Sequence, residues 1–222
     1  MVILDDPAFL EHTFVVIDFE GLTPKGRPAE PIEVAAVAGS FHGGQWAESG
    51  RFSSLIRPPD DVPVTPFDTA QTGLTEARLR TQQPAALVMA ALDARLAAPP
   101  YRLVAHHAPT EAGLIAGQRQ HCPTLAATPL LCTVRLARAA YPELPSHGLN
   151  AVLHHLGIPL PAGRHRALPD VEVTVDVFAR VLADGAAAGH WSTLRDLDRV
   201  AGIPPKSAPT GPTNGPTQPA LF

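Results

Sequence analysis

Apolar positions along this chain fall first into strand-length blocks and later into helical stripes. Thr13-Phe14-Val15-Val16-Ile17-Asp18-Phe19-Glu20 is an apolar run that closes on two carboxylates, and Pro31-Ile32-Glu33-Val34-Ala35-Ala36-Val37-Ala38 is a second apolar run. Both read as strands. His42-Gly43-Gly44-Gln45 is a turn signal, so residues 46–57 are expected to pair back on the second strand and complete a meander. Pro58, Pro59, Pro63 and Pro66 make residues 58–72 a loop with at most a helical turn near Asp68.

Helical spacing follows. Thr75 caps a short segment ending at Arg80. Residues 83–96 then set Leu87, Ala91 and Ala94 beside Val88, Leu92 and Leu96, a stripe suited to covering one face of a sheet. Residues 101–106 and 129–132 read as a fourth and a fifth strand, with helices expected over 109–119 and 133–141. Further helices are expected over 147–156, ended by Gly157, over 168–184, with Pro169 in the first turn, and over 192–201, capped by Ser192. A meander followed by alternating strands and helices is an α/β pattern with a parallel portion of sheet.

Composition narrows the picture. With 222 residues, 45% hydrophobic and 17% charged, the chain suits one domain with a sizeable core, assigned to residues 1–202. From residue 203 to 222 proline, glycine and threonine dominate, and this tail is expected to be disordered. A net charge of -4 excludes a broad basic surface for coating long nucleic acid and leaves room for short, end-directed contact. Cys122 and Cys132 make neither a disulfide framework nor a C-x-x-C pair, which fits a reducing cytoplasm. The acidic start, with Asp5, Asp6 and Glu11, does not read as a signal peptide, and no apolar run is long enough to span a membrane.

Candidate chemistry centres on the end of the first strand. Side chains alternate along a strand, so Asp18 and Glu20 face the same way while Phe19 packs on the other side. Two like charges side by side are unfavourable unless a cation lies between them, and hard oxygen ligands suit magnesium or manganese; a solvated strand end carries the same spacing. Further on, His165-Arg166-Ala167-Leu168-Pro169-Asp170 sets a loop histidine before a helix with an aspartate in its first turn. That is an arrangement for a metal ligand with a proton acceptor, or equally for a capping aspartate with a surface histidine. Arg164 and Arg166 suit either phosphate contact or a solvated loop. His121, Cys122, His147, His154 and His155 lack zinc-ligand spacing.

Taken together, D-x-E at Asp18 and Glu20, Ala105-His106-His107-Ala108-Pro109-Thr110-Glu111, and H-x-A-x-x-D at His165 and Asp170 resemble the DEDDh family of 3′–5′ exonucleases. The likeness runs from about Phe14 to Leu182. Thr72-Gly73-Leu74-Thr75, residues 133–138 and Ser146-His147-Gly148-Leu149 are landmarks in the order found in the proofreading subunits of bacterial replicative polymerases. The resemblance implies a ribonuclease H-like fold, with a mixed five-stranded sheet flanked by helices. It implies two divalent ions, Mg²⁺ or Mn²⁺, held by Asp18, Glu20, Asp170 and Glu111, with Asp18 shared and His165 as general base.

Three positions depart from the family pattern: His107 where asparagine is usual, Glu111 where aspartate is usual, and Gly21-Leu22-Thr23 in place of a threonine-rich turn. Thr72 also stands where a histidine is common. The implied function is release of 5′-mononucleotides from single-stranded or frayed DNA 3′ ends, in proofreading or repair. A 3′ exoribonuclease, and a non-catalytic module for nucleic-acid ends or a replication partner, are the alternatives. Gln218, Leu221 and Phe222 at the end of the tail resemble the short motif by which bacterial replication proteins dock on the sliding clamp.

Overall fold

The computed structural model describes residues 3–206; the clamp-motif residues Gln218, Leu221 and Phe222 lie outside them. Six strands form one sheet: β1 (Thr13–Leu22), β2 (Glu30–His42), β3 (Gln45–Leu55), β4 (Tyr101–Ala105), β5 (Leu130–Cys132) and β6 (Gly202–Ile203). Their order is β3-β2-β1-β4-β5-β6. The first three are antiparallel, β1, β4 and β5 run parallel, and β6 is antiparallel to β5. The α/β expectation holds with six strands rather than five. The extra strand is two residues long, and its backbone pairs with Leu130 and Leu131, so the ordered chain continues past residue 202.

Ten helices accompany the sheet among the described residues: α1 (Pro7–Leu10), α2 (Pro66–Thr72), α3 (Glu76–Arg80), α4 (Ala85–Asp93), α5 (Pro109–Gly117), α6 (Pro123–Ala127), α7 (Thr133–Ala140), α8 (Leu149–Leu156), α9 (Ala167–Ala187) and α10 (Leu194–Ala201). The turn expected near Asp68 is α2, closed by a Thr65–Asp68 capping box. Thr75 caps α3 as expected. The cap of α10 is Thr193 rather than Ser192, because Thr193 and Asp196 exchange side-chain and backbone hydrogen bonds. Leu87 is exposed while Val88, Met89 and Leu92 are buried. At 100° per residue Leu87 points well off the Val88–Leu92 line, so the buried stripe is narrower than its composition suggests.

Alternation along β1 divides the core. Val15, Ile17 and Phe19 pack with Val88, Leu92, Ala112 and Ile115 on the α4–α5 face. Phe14 and Val16 pack on the opposite face with Leu136, Val152, Val177 and Phe178. Asp18 and Glu20 continue the second series, so they point toward α9. The Phe14 and Phe178 rings lie 5.4 Å apart. From Phe178 back to Asp170 is eight residues of helix, about 12 Å; from Phe14 to Asp18 is four residues of strand, about 13 Å. Packing α9 antiparallel to β1 therefore delivers Asp170 to Asp18.

The other end of α9 is fixed by Trp191, whose Nε1–H donates to the Leu182 carbonyl at 3.0 Å. A Cβ on Gly185 would lie 2.0 Å from the Trp191 ring, so the indole sits where a side chain would go. Gly185→Ala is expected to lower unfolding stability by about 1–3 kcal/mol through overpacking, measured by urea denaturation; an unchanged midpoint would show that Trp191 yields freely.

Candidate active site

The carboxyl ends of β1 and β4 meet where the chain order of the sheet reverses, β2 and β3 lying on one side of β1 and β4 to β6 on the other. In α/β sheets this is where sites form. The strand register slips between Glu20 and Gly21. A Cβ on Gly21 would lie 3.3 Å from the Glu30 carbonyl, a tight approach, and 3.6 Å from the Leu114 side chain, an ordinary contact, so Leu114 of α5 packs over this end of β1. Glu111, in the first turn of α5, approaches from that side and Asp170, in the first turn of α9, from the other.

Asp18, Glu20 and Asp170 each place a ligand oxygen such that all three atoms lie within 4.8 Å of one another, the one such His/Cys/Asp/Glu group among the described residues. Glu111 is buried nearby but outside that trio. The electrostatics follow from crowding. Asp18 is pushed well above the usual carboxylate range by burial, then by Glu111, Glu20 and Asp170. Burial, followed by Asp170 and Glu33, raises Glu20 to about 7. Burial raises Glu111 to about 8 against a hydrogen bond from its own backbone. Asp170 Oδ1 and Glu111 Oε2 are buried without a hydrogen-bond partner. Oxygen-only donors, crowded and partly unsatisfied, fit a hard divalent cation such as Mg²⁺ or Mn²⁺.

Arg164 and Arg166, for which phosphate contact and a solvated loop were equally open, both pair with carboxylates. Arg164 pairs with Asp170 and donates from Nε to Asn150 Oδ1 at 2.8 Å. Arg166 grips Glu33 with two 2.8 Å hydrogen bonds. Between them His165 is exposed, with φ 63°, and makes no hydrogen bond to another described residue. Among the described residues His107 is the other non-glycine residue with positive φ, at 73°. Histidine and asparagine are among the side chains that enter the left-handed region most readily, which accounts for a histidine where the family has asparagine.

His106 plays a structural part. Its Nε2–H donates to the His147 carbonyl at 3.1 Å and its Nδ1 accepts from the Thr133 hydroxyl at 2.8 Å. Burial lowers it to about 4, so it ties the end of β4 to α7 as a neutral ring. His147 in turn donates to the Tyr141 carbonyl, a backbone tie rather than a zinc ligand. Glu33 is the site residue that sequence reasoning passed over, although one charge inside an apolar strand run was a readable signal. Just beyond Glu20, Gly21, Leu22, Thr23, Gln71 and the exposed ring of Phe67 line a cleft of about 450 Å³.

Comparison with known proteins agrees with this geometry. The exonuclease family model (RNase_T) matches residues 15–178, more than half of the chain. A DNA polymerase III subunit epsilon-like protein of Rhodobacter capsulatus is 33% identical over 80% of this chain and 25% of its own length. DNA polymerase III subunit epsilon of Aquifex aeolicus is 30% identical over 86% of this chain and 92% of its own. The chain thus spans a quarter of the first relative and nearly all of the second. The nuclease domain of 3′hExo, a DEDDh family member solved with rAMP, superposes with TM-score 0.67 at 20% identity, over 82% of this chain and 96% of that one, and shares the ribonuclease H-like fold. The chain belongs to the exonuclease family, and the DEDDh resemblance expected from its motifs is borne out.

Crowded carboxylates make stability depend on pH. Glu20 and Glu111 hold protons in the fold that they release in the unfolded chain, so stability falls as pH rises from about 5 to about 8. In EDTA the melting temperature should drop over that interval, and Mn²⁺ should restore it at pH 8. Asp18→Asn should flatten the EDTA profile. A flat wild-type profile would contradict the crowding.

Proposed function

We propose that the protein is a divalent-metal-dependent 3′–5′ exonuclease that releases 5′-mononucleotides from single-stranded or frayed DNA ends. The observation that carries this reading is the convergence of Asp18, Glu20 and Asp170 within 4.8 Å, with buried Glu111 beside them. Asp18 feels both Glu111 and Asp170, which supports its role as the ligand shared by two cations. Divalent cations bound there supply the positive charge that activates a water and stabilises the leaving 3′ oxygen.

The chain's own residues do the rest. His165, exposed on the loop whose flanking Arg164 and Arg166 are tied to Asp170 and Glu33, takes the proton of the attacking water; an imidazole serves this purpose near neutral pH. The cleft lined by Leu22, Thr23 and Phe67 offers room for the last nucleotide, with an aromatic face for its base. DNA is the favoured strand because the Rhodobacter and Aquifex relatives are named for DNA polymerase III. A proofreading or repair role belongs to the same proposal, as does docking of Gln218, Leu221 and Phe222 on a sliding clamp.

The test is hydrolysis of a 3′-labelled single strand of DNA or matched RNA with Mg²⁺ or Mn²⁺, and with EDTA. Asp18→Ala, Glu20→Ala and Asp170→Ala should each abolish turnover while leaving the fold intact. Glu111→Ala should lower turnover strongly and Glu111→Asp only moderately. His165→Ala should cost about 10²–10⁴-fold in single-turnover rate with little change in binding. Wild-type turnover in any of the three metal-ligand variants would refute the site.

For the tail, a peptide covering residues 210–222 should bind a bacterial clamp in the micromolar range. Replacing Leu221 and Phe222 with alanine should remove that binding, and unchanged binding would sink the docking proposal.

A further inference from the structure

Glu33 is 3% exposed, inside β2 and directly across from Glu20 in the strand register. Cross-strand partners project to the same face, so this carboxylate lies on the α9 side, next to the metal-ligand candidates. An isolated ionised carboxylate there is costly. It is satisfied three times: by Arg166 Nε and Nη2, each at 2.8 Å, and by the Ala167 N–H at 3.2 Å.

These contacts do something specific for α9. Its N-cap is Arg166, whose own side chain makes no capping bond. Glu33 supplies the missing acceptor from another strand, and a negative charge at a helix N-terminus is favourable. The Asp170 N–H bonds to the Arg166 carbonyl at 3.2 Å, so Asp170 is one helical turn from the clamp. His165, with its left-handed backbone, is the residue immediately before it. A bidentate guanidinium–carboxylate pair fixes orientation as well as distance.

We propose that Glu33 is a positioning residue of the active site: through Arg166 and the first turn of α9 it sets where Asp170 and His165 stand relative to Asp18 and Glu20. The proposal rests on the metal-dependent reading above. Stability alone does not account for the pair, because well-packed apolar side chains at a buried ion-pair position often stabilise as well or better. Its value lies in geometry.

The experiment uses the full chain carrying Glu33→Gln, which keeps shape and volume but loses the charge and the bidentate grip. Mn²⁺ affinity is read by electron paramagnetic resonance without substrate, and kcat and KM are read on a short single strand. Both are measured at a temperature where near-ultraviolet circular dichroism shows the variant folded. Mn²⁺ affinity should fall about 10–100-fold, and kcat should fall with KM within about twofold. Arg166→Lys keeps the charge without the planar fork and should shift both readouts in the same direction; it carries the test if Glu33→Gln does not fold. A lower melting temperature with wild-type Mn²⁺ affinity and kcat would show a merely structural pair and overturn the proposal. A wild-type protein that binds no Mn²⁺ would instead overturn the metal-dependent reading.

Discussion

Repulsion among carboxylates gathered at the end of one strand is the constraint on which this structure turns. Two unit charges 4 Å apart repel by about 4 kcal/mol at an effective dielectric of about 20, and a domain of this kind has only about 5–15 kcal/mol of net stability. Asp18, Glu20 and Asp170 inside 4.8 Å therefore cannot all be ionised without a compensating cation. Proton retention at Glu20 and Glu111 is one form of relief and the Arg164 contact with Asp170 is another. Neither satisfies Asp170 Oδ1 or Glu111 Oε2. Apolar packing elsewhere holds the cluster together against its own charge.

That packing acts from both faces of the sheet. On one side Phe14 and Phe178 meet as tilted rings at the far end of β1, and matched rises along strand and helix carry the registration to Asp170. On the other, Leu114 packs beside Gly21, and the first turn of α5, with Glu111, lies toward the same strand end. Helix N-termini thus converge on the trio from opposite directions. Their partial positive charge offsets part of the carboxylate repulsion, which is a reason for the acidic residues to lie in first turns rather than mid-helix.

How much of this could be read beforehand depended on whether the information was local. Strand alternation placed Asp18 and Glu20 on one face, and the H-x-A-x-x-D spacing placed Asp170 in a first turn; both are local and both hold. The sixth strand was not legible, because Gly202 and Ile203 carry no pattern of their own and pair only because β5 presents a free edge. The short helices α1 and α6 were missed for a related reason: four or five residues are too few to show a period. Arg164 and Arg166 were ambiguous in sequence, since whether an arginine meets phosphate or carboxylate depends on what the fold sets opposite it. Glu33 was the readable omission, a lone charge amid Pro31, Ile32, Val34 and Ala35.

The departures from the family pattern are best understood together. Glu111 carries one methylene more than aspartate and lies outside the trio, yet it heads the neighbouring charges that raise Asp18. Asp18 also feels Asp170, so it is the residue on which both helix approaches bear. The longer side chain keeps that coupling even though its carboxylate is not drawn into the 4.8 Å group. His107 enters the left-handed turn before α5 much as His165 does before α9. Each motif loop thus spends one unfavourable backbone conformation, on the order of 1–3 kcal/mol, to turn the chain sharply from a loop into an acidic first turn. Such strain persists only where the surroundings over-determine it, and here the clamp at Glu33 and the Gly21–Leu114 contact supply that determination on the two sides of the site.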